Sequence, residues 1–196
     1  EPTWGKADTA ALWNGHGTAM SGVAIYGDLH PLLAGTDAVD LQHRLESVKI
    51  LPPDGHNDPE LYGAITMEAV ARVELQAPSR PRVVCMAITS ANPVPGKPSS
   101  WSAAVDQLCF DEEQRRLVVV SAGNIRDGLA SATYLDANDL APVEDPAQAW
   151  NALTVGAYTD KVNITDPSYW GWQPIGAPGD LSPSSRTSVA WSRQWP

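Results

Sequence analysis

The sequence predicts an α/β protein built on a parallel sheet, and three observations lead to this fold class. Short runs such as 82–88 (RVVCMAI) and 117–121 (LVVVS) are apolar without alternation, which is typical of strands buried on both faces. Segments with helical periodicity separate these runs. The length of 196 residues, 43% of them hydrophobic, is enough for one domain with a sizeable core. We therefore expect a three-layer arrangement with helices on both faces of the sheet.

The N-terminal half predicts two helices and one strand. The small residues of 17–26 predict a helix, and 47–51 (SVKIL) predicts a buried strand that ends at a run of turn-forming residues. A second helix is expected over 59–76, because Pro59 suits the first helical turn. Apolar residues recur there at every fourth position, namely Leu61, Ile65, Ala69 and Val73.

The second half predicts three strands. They lie at 82–88, 117–121 and 152–158 (ALTVGAY). Between the first two, an amphipathic helix is expected, because its apolar residues follow the i, i+3, i+4, i+7 spacing. These residues are Trp101, Ala104, Val105 and Leu108. Strands that alternate with helices in this way belong to parallel sheets.

Two segments of the second half show no periodic pattern. Residues 130–145 are irregular and acidic, and the Asp145-Pro146 pair that ends them predicts a short helical turn. The tail 165–196 is rich in Pro, Ser and Trp and predicts loops, or the start of a region that the chain does not finish. We expect its tryptophans to pack the tail onto the sheet, with a groove for an extended ligand as the alternative.

Charge and cysteine content limit the partners. The formal net charge is -10 and the sequence has no basic tract, so nucleic acid is not expected as a partner. No apolar stretch approaches the roughly 20 residues that a membrane-spanning helix needs, so we expect no membrane partner. Cys85 and Cys109 lie in a predicted strand and on an apolar helix face, which favours buried thiols over a disulfide. Because the first residue is Glu1 and no signal peptide is recognisable, a soluble protein of the bacterial cytoplasm and a secreted one both stay open.

Two short segments have the composition of catalytic sites. In Asn14–Gly22 (NGHGTAMSG), a histidine flanked by glycines precedes a helix of small residues, so another chain could approach the imidazole of His16 closely. In 121–124 (SAGN), Asn124 follows a buried strand and could donate an N–H to an oxyanion, while Gly123 leaves room for a substrate. Taken separately, each segment is equally compatible with an ordinary turn.

Taken together and in order, these segments resemble the subtilisin-like serine proteases, the subtilases. GHGTAMSG resembles the catalytic-histidine motif of that family and VVVSAGN resembles its oxyanion-hole motif. Three further segments resemble the strand after the histidine, the substrate-lining strand, and the strand and turn after the oxyanion motif. They are ESVKIL, RVVCMAI and ALTVGAYTD. The resemblance covers most of the chain and implies one peptidase domain over residues 1–196 with a subtilisin-like fold, incomplete at both ends.

The resemblance implies a role for each matching residue. His16 would be the general base that takes the proton of the nucleophile, and Asn124 would be the oxyanion-hole side chain. The strand 84–88 and the residues after it would pair with an extended peptide. On this basis, the expected substrate-binding residues are Met86, Ala87, Ile88, Thr89 and Gly123.

The acid and the nucleophile of the family's catalytic triad have no recognisable counterpart. Asp8 lies in KADTA with no strand before it, so we assign it to the loop before His16. Ser188 lies in RTSVA, which differs from the family's Gly-Thr-Ser-x-Ala motif by Arg186 in place of a glycine that permits a tight turn. We expect the chain to lack both groups and to be inactive as given, with the remainder of its own peptidase domain as one further partner.

No metal site is predicted. The four histidines are spaced too widely for a compact ligand set. Calcium stays open, but no recognisable loop supports it: residues 26–31 lack an Asn-rich loop, and Asp136, Asn138 and Asp139 lack the glycine and glutamate of an EF-hand. No other cofactor is expected.

The functional prediction is a serine endopeptidase that hydrolyses peptide bonds through an acyl-enzyme, with a peptide or protein as substrate. One alternative is a subtilase-like module that binds extended peptides or a partner protein without cleaving them. Another is an unrelated hydrolase that uses Ser188 as nucleophile. Cleavage specificity, the physiological substrate and the oligomeric state do not follow from the sequence.

Overall fold

A computed structural model describes residues 15–52, 55–91, 96–110, 116–126, 133–160 and 162–189. The chain divides into two compact units, Glu1–Arg80 and Pro81–Pro196. Each unit is described by itself below. A single peptidase domain over residues 1–196 stays a prediction.

The described part of the first unit is helical. Helix α1 spans His16–Tyr26, α2 spans Leu29–Ala34, and a 3₁₀ turn at Pro59–Leu61 leads into α3 at Tyr62–Gln76. The helices predicted over 17–26 and 59–76 are therefore confirmed. Pro59 occupies the first turn as expected, because a proline at that position loses no helical hydrogen bond.

The strand predicted over 47–51 is wrong. These residues form no strand, and Val48 is 39% exposed. A parallel strand needs a neighbour that accepts its backbone hydrogen bonds, and within the described residues this segment pairs with none. The carbonyl of Ile50 instead accepts a hydrogen bond of 2.7 Å from the side-chain amide of Asn57.

The second unit contains a three-stranded parallel sheet. The strands are β1 at Val83–Met86, β2 at Leu117–Ser121 and β3 at Leu153–Val155, in the order β1-β2-β3. All three lie inside the predicted strands, and β2 has the predicted bounds. Helix α4, at Ser100–Cys109, connects β1 to β2 as the apolar spacing predicted. The parallel α/β architecture is therefore confirmed.

Only one face of this sheet is well covered. Val118 and Val120 are 1% exposed, and Met86, which lies opposite Val120, is also buried. The strand residues that alternate with these face the other way. Several of them are exposed, and Val83 is 65% exposed. Other apolar residues of the strands that are exposed are Leu117, Leu153 and Val155. Within the described residues, the second face of the sheet is therefore largely exposed, and helices on both faces stay a prediction.

Helix α4 supplies much of the core beside β2. Its residues Trp101, Val105 and Leu108 are buried at the predicted spacing. A capping box starts the helix: the hydroxyl of Ser99 accepts from the N–H of Ser102 at 2.9 Å, and the hydroxyl of Ser102 accepts from the N–H of Ser99 at 2.8 Å. The cap satisfies backbone donors that would otherwise be buried without a partner.

The irregular segment before residue 145 contains a helix that the sequence did not predict. Helix α5 spans Tyr134–Asp139, and Asn138 within it is fully buried. The side-chain amide of Asn138 donates to the carbonyls of Ser182 at 3.0 Å and Ser185 at 2.5 Å. A tertiary contact therefore stabilises a polar helix that has little apolar patterning of its own.

The tail is mostly loop, as predicted, apart from a 3₁₀ turn at Pro167–Tyr169. The packing expected of its tryptophans is wrong for two of them, because Trp170 is 91% exposed and Trp172 is also exposed. Trp172 instead contacts Tyr169 edge-on, with the ring centroids 5.8 Å apart. Trp191 and Trp195 lie outside the described residues.

Both cysteines are free thiols, as predicted. Their expected burial is wrong for Cys85, which lies on the open face of β1. Cys109 is partly buried, and burial raises the pKa of its thiol. Among the described helices, none has the length and apolar character needed to span a membrane.

Candidate active site

The end of β2 places Gly123 and Asn124 beside each other at the edge of the sheet. Gly123 has a φ of 95°, a backbone conformation that side chains with a Cβ rarely adopt. The N–H of Ala122 bonds to the carbonyl of Val155 at 2.9 Å, which ties the start of this turn to β3. The backbone then turns sharply, and Asn124 lies exposed at the carboxyl end of the strand. This is the position at which functional groups collect in parallel α/β sheets.

The loop 181–189 fixes the backbone of this turn. Asn124 forms an antiparallel bridge with Ser185, and the N–H of Ile125 donates to the carbonyl of Ser184 at 2.8 Å. The side-chain amide of Asn124 makes no hydrogen bond to any part of the chain that the structure describes. A rigid backbone with an unengaged amide has the features expected of an oxyanion donor.

The residues expected to line a peptide fall into two groups. Met86 is buried in the core of the sheet, whereas Ala87, Ile88 and Thr89 follow β1 and are partly exposed. Directly after them, Ser90 bridges Asp145, with two backbone hydrogen bonds of 2.8 Å. The segment 87–89 therefore runs close to residues 144–145, so part of the predicted substrate strand is already fixed by another segment of the chain.

A glutamate that the sequence did not single out lies at the centre of this region. The hydroxyl of Thr89 donates a short hydrogen bond to Oε2 of Glu144. An added Cβ at Gly123 would lie 2.7 Å from the same oxygen, so the carboxylate can lie against the backbone only because residue 123 is a glycine. Thr89 and Gly123 are thus brought together around one carboxylate.

Arg186 forms an ion pair with this carboxylate. Its Nη2 lies 2.9 Å from Oε1 of Glu144, and the side chains of Arg186 and Glu144 are 25% and 19% exposed. The Nε of Arg186 donates to the carbonyl of Asn124 at 3.0 Å, and Nη1 donates to the carbonyl of Pro142 at 3.1 Å. All three nitrogens of the guanidinium are engaged, which is a geometry that the planar fork of arginine favours.

Sequence reasoning missed this pair because its members are 42 positions apart and carry no local pattern. The one signal was compositional: Arg186 stands where the resembling motif has a glycine. Glu144 lies in an acidic segment that gave no reason to distinguish it from its neighbours.

Asp145, next to Glu144, is held by a separate set of contacts. Its Oδ1 accepts from the hydroxyl of Ser99 at 2.5 Å and from Nε2 of Gln148 at 2.8 Å. Burial raises the pKa of Asp145, while these two hydrogen bonds act in the opposite direction. The contacts connect the turn after Glu144 to the start of α4, and they hold the carboxylate-bearing segment in place.

His16 belongs to the first unit. It is the first residue of α1, exposed, and preceded by Gly15 in the left-handed conformation with φ 76°. The glycine allows the chain to enter the helix by a tight turn, as its sequence suggested. The pairing of His16 with a nucleophile and with Asn124 stays a prediction.

Ser188 lies at the rim of an open cavity of about 640 Å³ in the second unit. The cavity is also lined by Ala122, Gly156, Arg186 and Thr187. Ser188 is exposed and follows Thr187, whose backbone bridges Pro142. No described histidine of the second unit is available as its base, because the four histidines all lie at or before position 56. Asp8 lies outside the described residues.

The described residues hold no group of three or more His, Cys, Asp or Glu side chains arranged for a metal ion. Of the three acidic-segment residues considered for calcium, Asn138 uses its amide to bind backbone carbonyls. That contact gives Asn138 a structural role, and calcium binding stays open.

Comparison of the sequence with models of known protein families gives one finding: the model of the subtilase family matches residues 1–196. No curated protein matches the chain, and no solved structure matches it.

Proposed function

The chain belongs to the subtilase family, and on that basis we propose that it serves as a serine endopeptidase domain of the subtilisin type. Membership supports a serine-protease-type function with a peptide or protein as substrate. The finer proposal is that cleavage proceeds through an acyl-enzyme, with His16 as general base and Asn124 as oxyanion donor. The complete three-layer arrangement of the family is part of the same proposal.

The observation that carries the proposal is the geometry at the end of β2. Asn124 is exposed, its backbone is fixed by Ser185, and the preceding Gly123 has a φ of 95°, which turns the chain at the end of the strand. An amide held in this way stabilises negative charge on a carbonyl oxygen during acyl transfer, because it needs no reorganisation as the charge develops.

We also propose that these 196 residues are inactive by themselves. Their sequence contains no Gly-Thr-Ser motif and no Asp-Thr-Gly or Asp-Ser-Gly motif. Without a nucleophile the covalent route is closed, and without an acid the imidazole lacks its orienting partner.

The test uses a fluorophosphonate, which reacts with an activated serine, followed by mass spectrometry of the intact protein and its peptides. We expect no adduct on the 196-residue chain and one adduct on the full gene product that contains it, at a serine other than Ser188. An adduct on Ser188 that Ser188→Ala abolishes would instead identify an unrelated hydrolase.

Asn124→Leu in the full gene product, assayed without the fluorophosphonate, should reduce kcat for a peptide substrate by about 10²- to 10³-fold, a size established on subtilisin itself. KM should change little, because the lost hydrogen bond forms mainly in the transition state. Asn163→Leu, at an exposed asparagine just before the tail, is the matched control and should leave kcat unchanged. An equal effect of the two substitutions would remove Asn124 from the catalytic machinery.

The alternative is a subtilase-like module that binds extended peptides or a partner protein without cleaving them. The absence of recognisable acid and nucleophile motifs from the sequence favours it. It predicts that the full gene product binds peptides, takes no fluorophosphonate and leaves the bound peptides intact.

A further inference from the structure

The contacts of Arg186 describe a site that is built from other parts of the chain. The acceptors are the carboxylate of Glu144 and the carbonyls of Asn124 and Pro142, at 2.9, 3.0 and 3.1 Å. We call these three groups the guanidinium cradle. Thr89 donates to the second oxygen of Glu144 and thereby orients the carboxylate. Each acceptor faces a different nitrogen of one planar group, so the cradle is complementary to a guanidinium and not merely to a positive charge.

The backbone, and not the side chain of Arg186, holds the loop in place. Ser185 bridges Asn124 and Thr187 bridges Pro142, so the residues on both sides of Arg186 are already paired with other backbone segments. The N–H of Val143 donates to the carbonyl of Thr187 at 2.8 Å, and the N–H of Thr187 donates to the carbonyl of Ala141 at 3.0 Å. Arg186 could therefore leave the cradle without release of the loop.

There is room for such a movement. Arg186 lines the open cavity of about 640 Å³ beside the cradle, and the side chains of the ion pair are partly accessible to solvent. A carboxylate at this depth is costly to leave unpaired. Once Arg186 has left, Glu144 therefore favours entry of another cation of the same shape.

The position of the cradle indicates which molecule supplies that cation. One of its three acceptors is the carbonyl of Asn124, the residue whose side chain we assign to the oxyanion of the cleaved peptide bond. Glu144 also lies directly against Gly123, the residue that precedes Asn124. A peptide whose reacting carbonyl lies at Asn124 thus has its side chains within reach of the cradle.

We propose that the cradle is a specificity-determining subsite for an arginine side chain of a peptide substrate, and that Arg186 occupies it in the absence of substrate. The proposal rests on the endopeptidase function for the identity of the ligand, but the binding itself requires no catalysis. Substrate arginine and Arg186 compete for one carboxylate. The apparent affinity for a substrate is the intrinsic affinity multiplied by the fraction of chains in which Arg186 has left the site.

The test measures binding of Nα-acetyl-arginine amide to the 196-residue chain by isothermal titration calorimetry. Arg186→Ala should bind this ligand about tenfold more tightly than the unchanged chain or better, because a tethered group competes at millimolar effective concentration. The double variant Arg186→Ala with Glu144→Gln should lose this gain. Nα-acetyl-citrulline amide, which has a neutral group of similar shape, should bind to none of the three proteins.

The matched control is Arg72→Ala, which removes an ion pair with Glu68 on the exposed surface of α3. It should leave binding unchanged, since that pair lies in the other unit. No gain in Arg186→Ala with its circular dichroism spectrum intact would overturn the proposal. A gain that persists after Glu144→Gln would also overturn it.

If Arg186→Ala does not fold, the unchanged chain provides the answer. Nuclear magnetic resonance of the Arg186 Nε–H follows the hydrogen bond to Asn124 directly, and added Nα-acetyl-arginine amide should shift that resonance in a saturable way. A resonance that stays fixed at ligand concentrations tens of times above the effective concentration of the tethered Arg186 side chain would reject the subsite.

The two proposals can fail separately. Ligand binding to the cradle without fluorophosphonate labelling of the gene product would keep the subsite and favour the non-catalytic module. Labelling of the gene product without ligand binding would keep the endopeptidase and remove arginine as its preferred side chain.

Discussion

Gly123 is subject to two separate constraints, and they can be measured apart. Its φ of 95° disfavours any residue with a Cβ, and an added Cβ would also lie 2.7 Å from Oε2 and 2.9 Å from Cγ of Glu144. Gly171 has a similar φ of 89° but no atom within 4 Å of the added Cβ. The two glycines therefore share the backbone constraint and differ in the steric one.

Gly171→Ala should lower the free energy of unfolding by about 1 kcal/mol, because alanine is strained at positive φ. Gly123→Ala should cost roughly 1–3 kcal/mol more, because the carboxylate of Glu144 must also move. Urea unfolding midpoints of the two variants and the unchanged chain provide the comparison. Equal losses would mean that Glu144 moves away from the backbone without cost.

Asp145 should make stability depend on pH in a defined direction. Burial raises its pKa above the ordinary value of 3.8, so the folded chain keeps this proton to a higher pH than the unfolded chain does. The contribution of Asp145 to the free energy of unfolding is therefore fully present below pH 3.8 and is lost as the pH rises through the folded pKa.

Asp145→Asn removes this titration while its oxygen can still accept from Ser99 and Gln148. The variant should gain stability relative to the unchanged chain as the pH rises above 3.8, because the unchanged chain then loses the proton that its folded state holds more tightly. Urea unfolding at a series of pH values measures the difference. A constant difference at every pH would contradict the raised pKa.

At the level of the strands, the uneven cover of the sheet should appear in mutational costs. Val118→Ala should destabilise the chain by about 2 kcal/mol, because it removes buried methyl groups and leaves a cavity. Val83→Ala, in the neighbouring strand, should cost under about 0.5 kcal/mol, since surface substitutions are usually small. Chemical denaturation of both variants tests the contrast between the 1% and 65% exposed positions. Similar losses would show that the open face is covered in solution.

Local patterning was enough to predict some elements and not others. The run LVVVS gave β2 its bounds, and the spacing of Trp101, Val105 and Leu108 gave α4, because burial and periodicity coincide there. The predicted strand at 47–51 failed because β-branched residues form a strand only when a neighbour pairs with them. Helix α5 was missed for the opposite reason, since contacts of Asn138 with a distant loop hold it.

The site divides in the same way. Gly123 and Asn124 are adjacent in sequence and follow a strand, so a short motif was enough to single them out. Glu144 and Arg186 meet only because the loop 181–189 returns to the sheet at Asn124 and Pro142. A single sequence does not encode that return in any local pattern, so the ion pair was not predictable from composition or spacing.

Across the whole molecule, the burial pattern predicts where the backbone opens first. Helices α1 and α2 contain no buried residue, whereas β2 and α4 together carry five of the twelve buried apolar residues in the described part of the chain. Amides of β2 and α4 should exchange with deuterium most slowly, and those of α1 fastest, because local opening costs least where little apolar surface is buried. Hydrogen exchange with mass spectrometry measures this order. Equal protection of α1 and β2 would contradict it.

The tryptophans in the described part of the chain divide into an interior and an exterior class, which differ as optical reporters. Trp101 is 4% exposed in α4, while Trp170 projects from the tail into water. The interior indole should emit at shorter wavelength and resist quenching by iodide, whereas the exterior one should emit as free indole does and be quenched readily. Emission from Trp170 therefore reports little on unfolding of the core, whereas the blue-shifted emission of Trp101 follows that unfolding.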